Sequence, residues 1–134
     1  MPRALVNQSN MKQQITKHIG QQTSIVAVAP RWLHGPLAVL LQASQEASLS
    51  ASAVTVRGML KKGVRQQPDI VLVYADSRDD EASDQVRHLK TAWPLARCIA
   101  LVEHARQRTP ILQAGADDVL LQGASAKQLL EIIR

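Results

Sequence analysis

From Thr23 onward, short apolar runs alternate with longer stretches in which apolar residues recur every three or four positions. A continuous apolar run is typical of a strand buried on both faces, and the longer periodic stretches are typical of amphipathic helices. Strands that alternate with helices indicate parallel strands joined by crossover helices. The predicted strands lie at 24–29, within 47–54, and at 70–74, 98–102 and 118–121.

The second of these strands is the least apolar, because Ser and Ala dilute its hydrophobic side chains. Its low side-chain volume favours an edge position in the sheet. Crossovers between parallel strands are right-handed, so five β/α units leave few arrangements. We expect an α/β fold with a doubly wound, five-stranded parallel sheet of order 2-1-3-4-5. This is the flavodoxin-like arrangement, with helices on both faces in three α/β/α layers.

Proline, glycine and capping residues predict the helix boundaries. Pro36 suits a first helical turn, so we expect the first helix over about 35–43 and a loop over 30–34. The last helix opens with Ser125, and Gln128 three residues later completes a capping-box pattern. Periodic apolar positions predict the other helices at 56–64, 86–93 and 106–114.

Residues 1–22 are richer in Gln, Asn and Lys than the rest of the chain. Within them, Met11, Ile15 and Ile19 recur every four residues, which predicts a short helix with a narrow apolar stripe. Such a helix is marginal unless it docks on the domain or on a second copy. We therefore divide the chain into an extension, 1–22, either a short helix or disordered, and one domain, 23–134.

The composition fits a single domain. A chain of 134 residues that is 46% hydrophobic can close one core of ordinary size. No apolar run approaches the roughly 20 residues of a membrane span, and the N-terminus turns polar too early for a secretory signal. Cys98 is the single cysteine and lies in an apolar run, which indicates a buried core residue. We expect a cytoplasmic protein with no membrane partner.

The formal net charge of +5 raises the question of nucleic-acid binding. The cations are scattered, and the one compact group has the spacing of the solvent face of an amphipathic helix. Aromatic residues make up 2% of the chain, too few for a platform that stacks single-stranded bases. Nucleic acid is therefore not expected as a partner of this domain alone. The compact group is Arg57, Lys61, Lys62 and Arg65.

Three segments resemble the receiver domain of bacterial two-component response regulators. They are Gln67-Pro68-Asp69-Ile70-Val71-Leu72-Val73, Ala114-Gly115-Ala116-Asp117-Asp118-Val119-Leu120 and Ser125-Ala126-Lys127-Gln128-Leu129-Leu130. The similarity extends over residues 24–134 in the order and spacing of elements. It implies the receiver version of the flavodoxin-like fold and a role in signal transduction of the phosphorelay type.

The resemblance also identifies the positions that would carry phosphoryl chemistry. Receivers hold Mg²⁺ with an acidic pair just after strand one and accept the phosphoryl group on an aspartate that ends strand three. A Ser or Thr ends strand four, and a Lys ends strand five. The corresponding residues here are Ala27, Val28, Tyr74, Val102 and Gln122. The resemblance therefore implies a degenerate receiver that is not an enzyme and needs no metal or cofactor.

Asp76 and Glu103 are the acidic residues that could substitute for this site. Without acids in the first strand they supply few oxygen ligands, so we interpret both as solvated loop charges. We interpret Tyr74 as a partly buried side chain with a hydrogen-bonded hydroxyl, rather than as a modification site. The histidines show no metal-ligand spacing and are interpreted as surface or loop residues. They are His18, His34, His88 and His104.

The function that follows is phosphorylation-independent protein–protein interaction. In receivers, the surface of the fourth helix, fifth strand and fifth helix commonly mediates pairing with a protein partner or a second copy. Two alternatives stay open. One is a fragment of a larger transcriptional regulator or ATPase with its output domain beyond Arg134. The other is a flavodoxin-like cofactor-binding protein or enzyme, although no glycine-rich phosphate loop is present. The candidate contacts implied by the resemblance are Arg106, Gln113, Asp117, Lys127 and Glu131.

Overall fold

The computed structural model describes residues 23–62, 67–76 and 81–133. Five strands and five α-helices alternate along these residues, with a 3₁₀ turn at Ala105–Gln107 before the fourth helix. The predicted N-terminal helix, the predicted end of the second helix and Arg65 lie outside the described residues. The strands are β1 (Thr23–Val28), β2 (Ala47–Ala53), β3 (Ile70–Ala75), β4 (Arg97–Val102) and β5 (Asp118–Leu121). The helices are α1 (Arg31–Ser44), α2 (Val56–Lys61), α3 (Ala82–Ala92), α4 (Arg108–Gln113) and α5 (Ala126–Ile133).

The sheet is parallel throughout and its strand order is β2-β1-β3-β4-β5. This confirms the predicted order and the flavodoxin-like fold. β2 lies at one edge, as its Ser- and Ala-rich sequence predicts, and β5 lies at the other. The register of β1 against β2 shifts between Ile25 and Val26. Because all the strands are parallel, their carboxyl ends lie at the same edge of the sheet.

Helices cover both faces of the sheet, which produces three layers. Along β3, Val71 and Val73 point into one buried cluster, whereas Ile70 and Leu72 point into the other. The central strand is therefore buried on both faces, as its continuous apolar run predicts. The first cluster takes Met59, Val86, Leu89 and Ile111 from α2, α3 and α4. The second takes Leu37, Leu41, Leu129 and Ile133 from α1 and α5.

The first helix begins earlier than the sequence predicts. It starts at Arg31 rather than near Gly35, so most of the predicted loop over 30–34 is helical and that prediction is wrong. Pro36 is the sixth residue of α1. It therefore lies inside the helix rather than in its first turn, where it has no N–H for the Trp32 carbonyl four residues earlier and its ring crowds that carbonyl.

A contact with the end of β1 secures this first turn of α1. His34 Nε2 lies 2.7 Å from the carbonyl oxygen of Ala29, and the Leu33 N–H donates to the Pro30 carbonyl at 2.9 Å. His34 is therefore a partly buried helix residue with a partner, and the prediction of a loop histidine is wrong. His88 and His104 are exposed, and His18 lies outside the described residues.

Helix ends follow the predicted capping chemistry. The Ser125 N–H donates to Gln128 Oε1 at 2.8 Å, and the Gln128 N–H donates to Ser125 Oγ at 3.1 Å, which confirms the capping box. Pro110 is the third residue of α4, where a missing N–H is tolerated. Gly115 follows α4 with φ of 120°, a conformation that favours glycine.

Among the described residues, no helix is long and apolar enough to cross a lipid bilayer. Cys98 is fully buried, which confirms the prediction of a core residue.

Candidate functional site

The carboxyl ends of β3, β4 and β5 bring together three of the positions to which the resemblance to receivers assigns phosphoryl chemistry. They are Tyr74, Val102 and Gln122. Ala75 lies opposite Val102, and Val102 lies opposite Leu121, the residue before Gln122. Tyr74, one residue before the end of β3, thereby reaches Gln122 although they are 48 positions apart in the chain. In doubly wound sheets this edge is where ligands bind. We therefore take it as the candidate functional site.

The Tyr74 side chain spans this edge. Its hydroxyl donates a hydrogen bond of 2.8 Å to Glu103 Oε2 and lies 3.4 Å from Gln122 Oε1. Its ring meets the Trp32 ring of α1 at a centroid distance of 5.9 Å and an interplanar angle of 81°, an edge-to-face contact. The prediction of a partly buried, hydrogen-bonded tyrosine is confirmed. One side chain thus connects β3 with α1 and with the residues that follow β4 and β5.

The surroundings of Tyr74 favour its neutral form. Burial raises the pKa of the phenol from its ordinary value of 10.0 to about 12. The hydrogen bond to Glu103 and the negative charges of Glu103 and Asp76 act in the same direction, because all three oppose formation of a phenolate. At neutral pH the hydroxyl is therefore a hydrogen-bond donor to a carboxylate.

Glu103 is not the solvated loop charge that its position in the sequence predicts. It follows β4 directly, is partly buried and accepts the Tyr74 hydroxyl. Asp76, the other acidic candidate, follows β3 and is also partly buried. The prediction of a solvated loop charge is therefore wrong for Glu103. Its side chain accepts a hydrogen bond from Tyr74, a long-range contact that the sequence does not reveal.

The Gln107 side chain joins the end of β3 to the loop after β4. Its Oε1 accepts the N–H groups of Glu103 and His104 at 2.9 and 2.8 Å. Its Nε2 donates to the carbonyls of Ala75 and Asp76 at 3.2 and 3.3 Å. Sequence analysis missed this residue. The only local signal was a Gln three positions after His104, the spacing of a capping box.

The β1 side of the site is apolar. Ala27 lies within β1 and packs in the cluster beneath α1 and α5, whereas Val28 ends the strand and packs in the opposite cluster. Ala29 is the first residue beyond the strand. None of these side chains carries a ligand atom. Across residues 23–62, 67–76 and 81–133, no group of three or more His, Cys, Asp or Glu residues could hold a metal ion.

The five candidate interaction residues do not form one cluster. Arg106 lies in the 3₁₀ turn and Gln113 ends α4, in one helical layer. Lys127 and Glu131 lie on α5, in the opposite layer. All five are exposed, and the β5 edge separates the two pairs.

Asp117, the fifth of these residues, has contacts within the domain. Its Oδ2 accepts the Cys98 N–H at 2.8 Å and lies 3.1 Å from Lys90 Nζ, which also donates to the Ala96 carbonyl at 2.9 Å. Burial raises the pKa of the Cys98 thiol to about 12, with the Asp117 charge acting in the same direction and the Lys90 charge against it. Asp117 therefore holds the start of β4 to the turn before β5.

No protein-family model matches the chain, and no curated protein matches it in sequence. Solved structures do match its fold. A LuxR family DNA-binding response regulator from Silicibacter pomeroyi is 18% identical, with a TM-score of 0.70 over 83% of this chain and 88% of its own. A response regulator from Thermotoga maritima is also 18% identical, with a TM-score of 0.69 over 84% of this chain and 94% of its own.

A third similar structure is not described as a response regulator. It is a putative pilus assembly-related protein from Burkholderia pseudomallei. It is 17% identical to this chain, with a TM-score of 0.71 over 86% of this chain and 88% of its own. At such identities these likenesses concern the fold alone. The fold is that of response regulator receiver domains.

Proposed function

We propose that this protein is a receiver-fold signalling module that acts through protein–protein contact and keeps one conformation without phosphoryl transfer. Tyr74 carries the proposal. Its side chain stands where the resemblance to receivers places the phosphoacceptor aspartate, and its hydroxyl is bonded to Glu103. A phenol whose pKa is raised to about 12 is neutral at physiological pH and is not an activated nucleophile.

The neighbouring positions support the same function. Mg²⁺ requires oxygen ligands, and neither the predicted positions Ala27 and Val28, which the structure places within β1, nor Ala29 and Pro30 after the strand carry a side-chain oxygen. Gln122 stands at the position of the lysine and has no charge with which to stabilise a phosphoryl group. Val102 has no hydroxyl to hydrogen-bond one. If the site never holds a phosphoryl group, one physical cause accounts for the loss of the acids, the hydroxyl and the lysine that receivers carry at these positions.

Two side-chain links replace the contacts that a phosphoryl group would make in a receiver. Tyr74 connects β3 to the residues after β4 and β5, and Gln107 connects the same β4 loop to the end of β3. Satisfied networks of this kind favour one arrangement of the groups that they join. The start of α4 is therefore held in one position in the unmodified protein.

The partner surface that we propose runs from α4 across the β5 edge of the sheet to α5, so that it includes both pairs of candidate residues. Arg106, Gln113, Lys127 and Glu131 present exposed side chains there, whereas Asp117 is already engaged with Lys90 and the Cys98 amide. Exposed charged side chains at the rim of an interface determine specificity and association rate more than affinity. A protein partner or a second copy of the chain fits this surface.

The direct test is incubation of the full chain with acetyl phosphate and Mg²⁺, followed by intact mass measurement. We expect no stable adduct of about 80 Da, because the site supplies neither an acceptor carboxylate nor the ligands of the metal. A receiver that carries the acidic pair and the acceptor aspartate serves as the positive control. An adduct that disappears in Asp76→Asn would instead identify Asp76 as a substitute acceptor and overturn the proposal.

A second measurement examines conformation rather than covalent chemistry. Amide chemical shifts of the ¹⁵N-labelled chain are recorded before and after addition of Mg²⁺ with beryllofluoride, a phosphoryl mimic. We expect no shifts around Tyr74, Glu103 and Gln107. Saturable shifts at these residues would show that the site still responds to a phosphoryl mimic, and would contradict a conformation independent of phosphate.

A further inference from the structure

The outer side of α1 is apolar. Trp32 is 60% exposed and Val39 is 69% exposed, and Pro36 and Ala43 are exposed as well. These four residues follow one another at intervals of four, three and four positions, which places them in one stripe along the helix. The opposite side of α1 packs in the buried cluster that it shares with α5. The helix is therefore apolar on two sides, of which the domain buries one.

The other helices carry charges on their exposed sides, which is the ordinary pattern of a helix at the surface of a domain. In α1 only the first residue, Arg31, carries a full charge. The exposed fractions of the stripe are those in the folded chain, so the molecule that removes it from water is a second one. The exposed charged residues of the other helices include Arg57 and Lys61 on α2, Asp84 and Arg87 on α3, Arg108 on α4, and Lys127 and Glu131 on α5.

We propose that this stripe pairs with the same stripe of a second copy of the chain, with the two α1 helices antiparallel about a two-fold axis. The intervals of four, three and four read the same in both directions, so an antiparallel copy meets the stripe in register. Trp32 of each copy then lies opposite Ala43 of the other, and Pro36 lies opposite Val39. The largest side chain thereby faces the smallest, an arrangement that fills the space between two helices. This pairing goes beyond the proposed function, since it concerns α1 and leaves the surface from α4 to α5 for a further partner.

The charges of α1 favour the antiparallel direction. Arg31 of each copy lies beside the C-terminal end of the other α1, where the last carbonyls carry partial negative charge. Glu46, an exposed acid two residues beyond the end of the helix, adds to this negative charge. A parallel pair would instead place Arg31 against Arg31 and align the two helix dipoles. Among the residues of the stripe itself, none carries a charge that the pairing would bury.

The size of the stripe determines how strong the pairing is. A helix of 14 residues is about 21 Å long and roughly 10 Å wide, so one face of α1 buries a few hundred Å² at most. Stable complexes bury about 800 Å² on each partner. The pair is therefore weak, with a Kd on the order of 100 µM, and dissociates on dilution.

Sedimentation velocity of the full chain between about 5 µM and 1 mM tests the pairing. Val39→Glu places a charge on the stripe, and Leu95→Glu is the matched control, because Leu95 is 86% exposed and lies in the loop before β4. We expect a concentration-dependent dimer in the wild type and in Leu95→Glu, and a Kd at least about tenfold higher in Val39→Glu. A wild type that stays monomeric at every concentration, or a dimer that Val39→Glu leaves unchanged, would overturn the proposal. Neither result bears on the absence of phosphoryl transfer.

Disulfide formation tests the direction of the helices. Trp32→Cys and Ala43→Cys chains are oxidised separately and as a mixture, and the native thiol does not interfere, because Cys98 is fully buried and its pKa is raised to about 12. In the antiparallel pair, equivalent positions lie about 16 Å apart along the helix, beyond the roughly 7 Å between Cα atoms that a disulfide can span. We expect a disulfide-linked dimer in the mixture alone, with one Trp32–Ala43 contact retained. A disulfide-linked dimer of Ala43→Cys by itself, or none in the mixture, would overturn the antiparallel pairing.

Discussion

The Tyr74 hydroxyl and the Glu103 carboxylate, 29 positions apart in the chain, form a hydrogen bond of 2.8 Å across the ends of β3 and β4. The contact places a neutral donor against a carboxylate at the edge where doubly wound sheets bind their ligands. A hydrogen bond to a charged group is stronger than one between neutral groups. The pair therefore contributes to the stability of the edge at which a receiver would be phosphorylated.

Removal of this hydroxyl should destabilise the fold. Tyr74→Phe keeps the ring contact with Trp32 but removes the hydroxyl that donates to partly buried Glu103, so we expect the free energy of unfolding to fall by about 1–2 kcal/mol. Urea unfolding followed by tryptophan fluorescence measures the change. Glu103→Gln retains an acceptor and should cost less than Tyr74→Phe. Wild-type stability in Tyr74→Phe would contradict a stabilising role for the hydrogen bond.

The ionisation of Tyr74 should depend on folding. Tyr74 is the only tyrosine in the chain, so a tyrosinate absorbance titration reports this residue alone. We expect a midpoint near 12 in the native protein and near 10.0 in urea. Because folding raises this pKa, the associated stability is fully present below the unfolded value and is lost as the pH rises through 10.0 toward about 12.

Glu103→Gln is the control for the cause of that shift. It removes a negative charge beside Tyr74 but leaves the burial of the ring, so the native pKa should fall only part of the way toward its ordinary value. A native titration with the same midpoint as the unfolded chain would show that the phenol is solvated and that its contact with Glu103 is weak.

Loss of the Gln107 amide should loosen the loop after β4. Gln107→Ala removes four hydrogen bonds, to Glu103, His104, Ala75 and Asp76, and we expect a loss of about 1–3 kcal/mol. Amide hydrogen exchange at residues 103–107 should accelerate before global unfolding. Gln113→Ala, an exposed residue at the end of α4, is the matched control and should change stability by less than about 0.5 kcal/mol. Equal effects of the two substitutions would refute the role of Gln107.

Two acidic residues with salt bridges should respond differently to substitution. Asp117→Ala removes the acceptor of the Cys98 amide and the ion pair of Lys90, which keeps its hydrogen bond to the Ala96 carbonyl, and should cost about 1–2 kcal/mol. Asp84 pairs with Arg87 on the exposed side of α3, and Asp84→Ala should cost no more than about 0.5 kcal/mol. Thermal unfolding of the two variants measures the difference. A larger loss in Asp84→Ala would contradict the structural role of Asp117.

The long-range contacts of the site could not be predicted from the sequence. Gln107 and Glu103 are polar residues beside an apolar run, a pattern equally typical of a solvated loop. Their partners come from β3 and from the residue after β5, so the contacts exist only once the strand order and register are established. The sequence also does not reveal that α1 begins at Arg31, with His34 in contact with the Ala29 carbonyl.

The order of the sheet follows from the pattern of residues along the chain. Runs such as Ile70–Ala75 can only be buried on both faces, the stretches between them bury one side of a helix, and right-handed crossovers leave few strand orders. Tertiary structure decided what the carboxyl edge contains, because Tyr74, Glu103, Gln107 and Gln122 meet there by register rather than by spacing in the chain. It also decided that α1 turns Trp32 and Val39 outward, since periodicity fixes which residues share a side but not which side faces the sheet.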